Sequence, residues 1–172
     1  MTDYRYLYSR RMKRNSCWSG VIAFVSLIVL MGVVGAVEHR QPVSDAASPP
    51  PVKSATQSQI ETILPEPVAA AIVRQAPEYP KTLACIAYHE SRGDHRAVGD
   101  GGKSKGLFQV QEKWWAQQYG PVPDDIEGQV AQSTRMFLDL KQRFGYRRAV
   151  AMWNPNDPDY VSSILDRVKD LK

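Results

Sequence analysis

The stretch LACIAYHESRGDHRAVGDGGKSKGLFQV, residues 83–110, joins an apolar segment that ends on an acid to a glycine-rich loop. The spacing i, i+3, i+4 and i+7 is occupied by Leu83, Ile86, Ala87 and Glu90. A helix with this spacing places the acid on the same face as apolar residues that must reach the core. Pro80 suits a first helical position and Gly93 the residue just past a helix end, so the acid falls in the last turn.

The position of Glu90 indicates a chemical role for its carboxyl group. Burial and the negative end of the helix dipole both favour the protonated form. A carboxylic acid that stays neutral at about pH 6 to 7 can protonate a leaving oxygen, as a general acid does. The stretch therefore predicts an acid catalyst at a helix end.

The apolar spacing around this stretch is also helical. Helices are predicted over residues 68–76, 80–91, a segment around 114–119, a segment capped by Asp125 and ended by Gly145, and residues 147–154 and 159–171. Alternation of period two is not evident, apart from one short hairpin expected between Arg96 and Val110. The sequence therefore predicts a small, mostly α domain.

The N-terminal part has a different composition. The chain of 172 residues has a formal net charge of +4, and residues 1–17 alone hold five basic residues against Asp3. Residues 18–37 are uncharged and largely apolar, long enough at about 1.5 Å per residue to cross roughly 30 Å of hydrocarbon. The positive-inside rule leaves residues 1–17 in the cytoplasm and exports everything after the predicted transmembrane helix. Cleavage as a signal peptide after Ala36 is the alternative.

Residues 38–67 are rich in proline, serine, alanine and glutamine, which is typical of a linker. Residues 68–172 then form one domain, since about 105 residues can support a single core. From residue 68 onward there are 15 Lys and Arg against 13 Asp and Glu, a difference of +2. This excess is too small to indicate nucleic-acid binding, whereas a cell-wall or membrane-surface partner fits equally well.

The histidines and cysteines do not predict a metal site or a disulfide. His89 and His95 do not have the His-Glu-x-x-His spacing of a zinc helix. Cys17 and Cys85 lie on opposite sides of the apolar run, so a disulfide between them is not expected, and Cys85 is predicted to be a buried core residue. We predict no cofactor and no metal.

Three motifs, taken in order, resemble the lysozyme-like lytic transglycosylases. They are Glu90-Ser91, then the Gly-Asp-Gly-Gly of residues 99–102 with Gly-Leu-Phe-Gln-Val at 106–110, then Ala-Val-Ala-Met-Trp-Asn at 149–154 followed by Tyr160. The resemblance covers roughly residues 81–171 and implies a small lysozyme-like α+β catalytic domain. The Gly-Asp loop also resembles that of the goose-type lysozymes, which share this fold.

The resemblance implies cleavage of the β-1,4 bond between N-acetylmuramic acid and N-acetylglucosamine in peptidoglycan. Glu90 matches the catalytic acid, which protonates the glycosidic oxygen and then removes the proton of the C6 hydroxyl, leaving a 1,6-anhydromuramoyl product. Asp100 lies where the goose-type loop carries its acid, so it is the candidate second carboxylate of a hydrolase. A turn aspartate beside glycines is the alternative interpretation of Asp100.

The same resemblance implies a set of residues that contact substrate: Ser91, Ser104, Gly106, Leu107, Phe108, Gln109, Trp153, Asn154 and Tyr160. Serine at a helix end or in a loop commonly satisfies local backbone instead. Trp153 departs from the family pattern, because it replaces a tyrosine whose hydroxyl would reach toward the acid. Pro155 departs as well, since a small residue follows the asparagine in the family.

These expectations leave several functions open. The first is a transglycosylase anchored in an inner or virion membrane through residues 18–37, with its domain in the periplasm and peptidoglycan glycan strands as its partner. A goose-type hydrolase and an inactive wall-binding scaffold are the alternatives. By analogy with enzymes of this kind, the protein would act as part of a type IV secretion, conjugation or virion-entry assembly.

Overall fold

The computed structural model describes residues 53–171. Within this range the helices are α1 (Ala55–Ile60), α2 (Glu66–Gln75), α3 (Pro80–Ser91), α4 (Glu112–Tyr119), α5 (Ile126–Phe144), α6 (Tyr146–Ala151) and α7 (Tyr160–Asp170), and the strands are β1 (Val98–Gly99), β2 (Ser104–Lys105) and β3 (Val110–Gln111). Helices therefore dominate the described part, and the prediction of a mostly α domain is confirmed. The predicted cytoplasmic segment (1–17), the predicted membrane segment (18–37) and the predicted linker up to residue 52 lie outside the described residues.

The helix α3 has the boundaries that the sequence predicts. Leu83, Ile86 and Ala87 are fully buried, as their spacing requires. Arg92 ends the helix in the left-handed conformation at φ 58°, and its N–H bonds to the carbonyl of Tyr88. Glu90 thus lies in the last turn of α3, where the C-terminal end of the helix meets the following loop.

The structure corrects the predicted linker in its last part. Residues 55–67 contain α1 and the start of α2, so the linker ends before Ser54, whose hydroxyl caps α1 by accepting from the N–H of Gln57 at 3.1 Å. Ile60 and Leu64 are buried in the core at 0% and 3% exposure. Because α1 has six residues and only one of them is buried, its apolar pattern is too short to reveal a helical period in the sequence.

Helix α2 begins at Glu66, two residues before the predicted start. Pro67 lies in its first turn, where proline is tolerated because its missing N–H has no partner in the helix. The prolines that indicated a linker by composition therefore initiate a helix here. None of the helices within residues 53–171 is both long and apolar enough to cross a membrane.

Helix α5 is the longest described helix and packs against α2 and α6. Asp125 caps it as predicted, with its carboxylate accepting from the N–H of Gly128 at 2.7 Å. Val130, Phe137 and Leu140 are fully buried along one face. Helix α7 packs against α3, which brings the last helix of the chain beside the acid-bearing helix.

The expected hairpin is present and extends into a three-stranded antiparallel sheet of order β1-β2-β3. Gly99 pairs with Ser104, and Lys105 pairs with Val110. The two connections between these short strands are residues 100–103 and 106–109. Both connections carry residues that the motifs predict to be functional.

Candidate active site

Glu90 is half-buried at the end of α3 and faces the N-terminal turn of α7. The hydroxyl of Tyr160 donates a hydrogen bond to Oε1 of Glu90 at 2.6 Å. Tyr160 is itself completely buried, and the ring of His89 packs edge-on against it with the centroids 4.9 Å apart. The carboxyl group is therefore held in a defined orientation by a rigid side chain.

Burial raises the pKa of Glu90 above its ordinary value, because desolvation disfavours the carboxylate. The hydrogen bond from Tyr160 lowers this pKa in part, and the negative charge of Asp100 raises it further. The pKa of Tyr160 is strongly raised by its burial and by the neighbouring Glu90. The tyrosine thus acts as a neutral donor, and the glutamate keeps its proton to higher pH than an exposed carboxyl group would.

The side chains of Leu107 and Phe108 lie in the core, at 0% and 1% exposure, so only the backbone of these two predicted residues could contact substrate. Their carbonyl groups anchor the loop instead. Ser91 Oγ donates to the carbonyl of Leu107 at 2.9 Å, and Trp153 Nε1 donates to that of Phe108 at 3.1 Å. Ser91 therefore joins the loop to α3 next to the acid, and its local backbone contacts are the carbonyl of Ala87 and the N–H of Gly93, each at 3.2 Å.

A side chain at position 106 would collide with a neighbouring glutamine, which explains the glycine there. Its φ is +73°, and a β-carbon there would lie 2.4 Å from Oε1 of Gln129. That same oxygen accepts from the N–H of Leu107 at 2.8 Å, and the amide nitrogen of Gln129 donates to the carbonyls of His95 and Pro123 at 2.9 and 2.8 Å. The glycine thus makes room for a buried glutamine that ties three segments together.

A signal for Gln129 existed in the sequence. It lies seven and eleven residues before Met136 and Leu140, on a buried face of α5 that also carries the polar residues Gln132 and Ser133. A polar residue on such a face needs hydrogen-bond partners. The sequence could not indicate that its partners are loop backbone groups up to 34 residues away.

Gln109, another residue predicted to contact substrate, has its amide nitrogen bonded within the loop. Its nitrogen donates to the carbonyls of Gly106 and Ala97 at 3.0 and 3.2 Å. Its oxygen lies so close to Gly99 that a β-carbon there would approach it to 2.3 Å. Both amide hydrogens of Gln109 are therefore engaged in holding the 106–109 connection against β1.

Asp100 is exposed and adopts a left-handed conformation at φ 50°. Ser104 Oγ donates to its Oδ2 at 2.6 Å, and Gln111 Nε2 donates to the same oxygen at 2.9 Å. The carboxylate is close enough to influence the pKa of Glu90. The structure thus brings the two predicted acids into one region and places Ser104 against Asp100.

The last motif lies beside the loop. The ring of Trp153 is half-buried and packs near Phe108 and Phe137, with centroids 6.1 and 6.5 Å apart. Asn154 is half-buried, and its backbone carbonyl accepts from the N–H of Asp157 at 3.3 Å. Trp153 has no hydroxyl to offer Glu90 and donates to the carbonyl of Phe108, whereas Tyr160 donates to Glu90.

Among the described residues, no group of three or more histidine, cysteine or acidic side chains is placed to hold a metal ion. Cys85 is fully buried, as predicted, and burial raises the pKa of its thiol to about 12. A reactive cysteine requires a lowered pKa, so this thiol has the character of a core residue.

Comparison of the chain with protein-family models, with curated proteins and with solved structures gives no match in any of the three. The assignment of a function therefore depends on the motifs and on the geometry around Glu90.

Proposed function

We propose that the domain is a lysozyme-like lytic transglycosylase that cleaves the β-1,4 bond between N-acetylmuramic acid and N-acetylglucosamine in peptidoglycan. The observation that carries this proposal is the half-buried Glu90 at the end of α3, with a raised pKa and a buried tyrosine bonded to it. Its neighbours in the fold are the loop and helix start that the other two motifs contribute. The product is a 1,6-anhydromuramoyl sugar.

The proposed reaction uses one carboxyl group twice. Protonated Glu90 donates its proton to the glycosidic oxygen as the bond from that oxygen to C1 of the muramic acid breaks. The C6 hydroxyl of the same sugar then bonds to C1, and its proton passes to the carboxylate of Glu90. The acid is regenerated, and water is not consumed.

Tyr160 assists both steps in this proposal. Its hydroxyl donates to Oε1, so the second carboxyl oxygen can be directed at the substrate. The bond is stronger to the carboxylate than to the neutral acid, which stabilises the intermediate state after the first proton transfer. Burial has the opposite effect: it raises the pKa of Glu90 and so keeps the carboxyl group protonated before the first step.

A goose-type hydrolase is the second candidate, and the position of Asp100 favours it. An inverting hydrolase needs a second carboxylate about 6.5 to 9.5 Å from the acid, with water between them. Asp100 is near enough to raise the pKa of Glu90. Its oxygen Oδ2, however, already accepts from Ser104 and Gln111, which supports a structural role for this group.

We propose that the protein has the cellular location that its N-terminal composition predicts. Residues 18–37 anchor the chain in an inner or virion membrane, and the domain acts from the periplasmic side on glycan strands. Local opening of the wall would suit a secretion, conjugation or virion-entry assembly.

The test is digestion of purified peptidoglycan in heavy-oxygen water with mass analysis of the new sugar ends. The wild-type chain should release unlabelled anhydro ends, Glu90→Gln should release none, and Glu78→Gln, which changes an exposed glutamate before α3, should match wild type. Heavy oxygen at most new ends would identify a hydrolase. Release of ends by Glu90→Gln at the wild-type rate would refute the assignment of the acid.

A further inference from the structure

Two arginine side chains pack against one tyrosine where α3 meets α7. The guanidinium carbon of Arg92 lies 4.2 Å from the ring centroid of Tyr88, and that of Arg167 lies 4.5 Å from the same centroid. Arg92 is the residue that ends α3, and Arg167 lies in α7, which packs beside α3. The fold thus holds two positive charges close together on one aromatic ring. We call Tyr88, Arg92 and Arg167 the arginine–tyrosine cluster.

The three side chains of the cluster can all donate hydrogen bonds. Among residues 53–171, neither arginine side chain has an ion pair or a hydrogen bond, and the hydroxyl of Tyr88 has no partner. The Nε of Arg167 is buried and lacks an acceptor within this part of the chain. A guanidinium group cannot accept a hydrogen bond and is always charged in proteins. The cluster therefore has a surplus of donors and of positive charge.

Packing alone explains only some of these features. Cation–π contacts with Tyr88 favour the positions of both guanidinium groups. A buried donor without an acceptor is nevertheless unfavourable, and so is the left-handed backbone of Arg92 at φ 58°. An acceptor with negative charge, bound from outside the domain, would satisfy the buried donor and neutralise the charge.

The cluster lies close to the candidate acid. Tyr88 and Glu90 both belong to the last turn of α3, a helix whose diameter with side chains is about 10 to 12 Å. His89 lies between them and packs on Tyr160, the tyrosine that bonds to Glu90. Burial lowers the pKa of His89, and the charges of the two cluster arginines lower it further, while Asp157 acts in the opposite sense. The two guanidinium groups are therefore near enough to the acid to meet the same bound molecule.

Peptidoglycan carries acidic groups beside its sugar chain. Each muramic acid unit bears a short peptide stem on its lactyl group, and the stem has free carboxylates. A stem of about four residues extends to roughly 13 Å, so it can span the width of the helix end from a muramic acid bound at Glu90. Guanidinium groups recognise carboxylates through paired, charge-assisted hydrogen bonds. The ligand that the cluster lacks is thus present on the proposed substrate.

We propose that the arginine–tyrosine cluster binds a carboxylate of the peptide stem on the muramic acid unit at the cleaved bond. This inference rests on the proposed function, because it names a part of peptidoglycan that the domain recognises besides the glycan. Arg92, Arg167 and the hydroxyl of Tyr88 donate to the carboxylate. Strands that carry stems are therefore bound more tightly than bare glycan.

The first experiment compares cleavage of stem-bearing glycan strands with cleavage of the same strands after an amidase has removed the stems. In the full-length chain, Arg92→Gln and Arg167→Gln should each raise KM for stem-bearing strands about threefold to fivefold, which is the upper range for an exposed ion pair. Both variants should cleave bare strands like wild type. Arg96→Gln is the matched control, since it removes an exposed charge from the loop after α3 and should change neither substrate. A loss of equal size on both substrates, or no loss on either, would overturn the inference.

The second experiment tests the carboxylate itself by calorimetry with the full-length Glu90→Gln chain. The ligands are a disaccharide tetrapeptide with free stem carboxylates and the same compound with these groups amidated. The amidated ligand should bind this parent chain about threefold to tenfold more weakly, and adding Arg92→Gln should reduce that difference to about twofold or less. Tyr88→Phe keeps the ring that both arginines contact, so it should retain part of the difference.

The two experiments separate this inference from the proposed function. Equal affinity of the parent chain for the free and the amidated ligand would refute the stem site. A wild-type chain that cleaves neither kind of strand would refute the proposed function, whereas the calorimetric preference for free carboxylates would still be measurable. Unchanged melting temperatures of the Arg92→Gln and Tyr88→Phe chains would show that their effects arise from binding.

Discussion

The hydroxyl of Tyr160 and the carboxylate of Glu90 are joined by a 2.6 Å hydrogen bond across 70 residues of chain. The bond exists because α7 packs against α3, so the beginning of one helix meets the end of the other. It lowers the pKa of Glu90 while burial raises it. The protonation state of Glu90 therefore depends on its burial and on Tyr160, a residue from a distant part of the sequence.

Replacing Tyr160 should move the pH dependence of the reaction. The first step needs protonated Glu90, so the rate should fall as the pH rises through the pKa of this group. Tyr160→Phe removes a bond that favours the carboxylate, which raises the pKa and shifts the falling limb to higher pH. Rate profiles of kcat/KM against pH measure the shift. The control is Tyr146→Phe, which removes a comparable hydroxyl bond to Thr82 and should leave the falling limb at the same pH. A falling limb that stays in place or moves to lower pH in Tyr160→Phe would contradict this account.

Glu90→Gln should alter stability in a pH-dependent way. Because the pKa of Glu90 is raised in the folded state above its ordinary value of 4.5, its contribution is most favourable below that value and is lost as the pH rises through the folded pKa. The neutral amide avoids this loss and can still accept from Tyr160. The variant should melt at a higher temperature than wild type at neutral pH, with the gap closing near pH 4. A gap that stays constant from acid to neutral pH would speak against a raised pKa.

Gly106 and Gln129 should be coupled energetically. Gly106→Ala places a β-carbon against the glutamine oxygen at positive φ, so unfolding in urea should show a loss of about 2 to 4 kcal/mol. Gly101→Ala has positive φ but no atom within 4 Å of its β-carbon, so it should lose only about 1 kcal/mol. In a Gln129→Ala background the cost of Gly106→Ala should decrease by about 1 kcal/mol or more. Additive losses in the double variant would rule out the steric coupling.

Replacing Trp153 with tyrosine, the residue at this position in the motif that the chain resembles, should not increase activity. The phenol near Glu90 is already supplied by Tyr160, whereas Trp153 donates to the carbonyl of Phe108. Trp153→Tyr should lose about 1 to 3 kcal/mol of unfolding free energy through the missing bond and the smaller ring, with activity no higher than that of Trp153→Phe. Higher activity in Trp153→Tyr than in both wild type and Trp153→Phe would show that a phenol at position 153 contributes to activity, and this would contradict the prediction.

The topology of the chain gives a separate prediction. The basic residues 1–17 and the uncharged residues 18–37 should leave a reporter fused after Lys172 outside the cytoplasm. Protease added to cells with a permeabilised outer layer should digest the domain. Digestion only after lysis of the inner membrane would reverse the proposed orientation, and the N-terminal sequence of the mature chain would decide whether cleavage follows Ala36.

The sequence by itself was sufficient for features that depend on local spacing. The apolar stripe of α3, its end next to Gly93 and the capping of α5 by Asp125 follow from helical periodicity and from cap chemistry, which involve residues a few positions apart. The burial of Cys85 was expected because a free cysteine without an activating partner behaves as a small apolar residue. The membrane segment and the transglycosylase motifs are also local patterns, and they remain predictions.

Tertiary structure decided how the motif residues are used. Leu107, Phe108 and Gln109 form one motif in sequence, yet the first two are buried and the third bonds within the loop. Whether a residue of such a loop faces substrate or core depends on Gln129 and Trp153, which approach from other helices and connections. Packing of α1 likewise turned part of the expected linker into core. Spacing along a chain specifies which face of a helix is apolar, but only the packing of helices determines which distant polar groups meet.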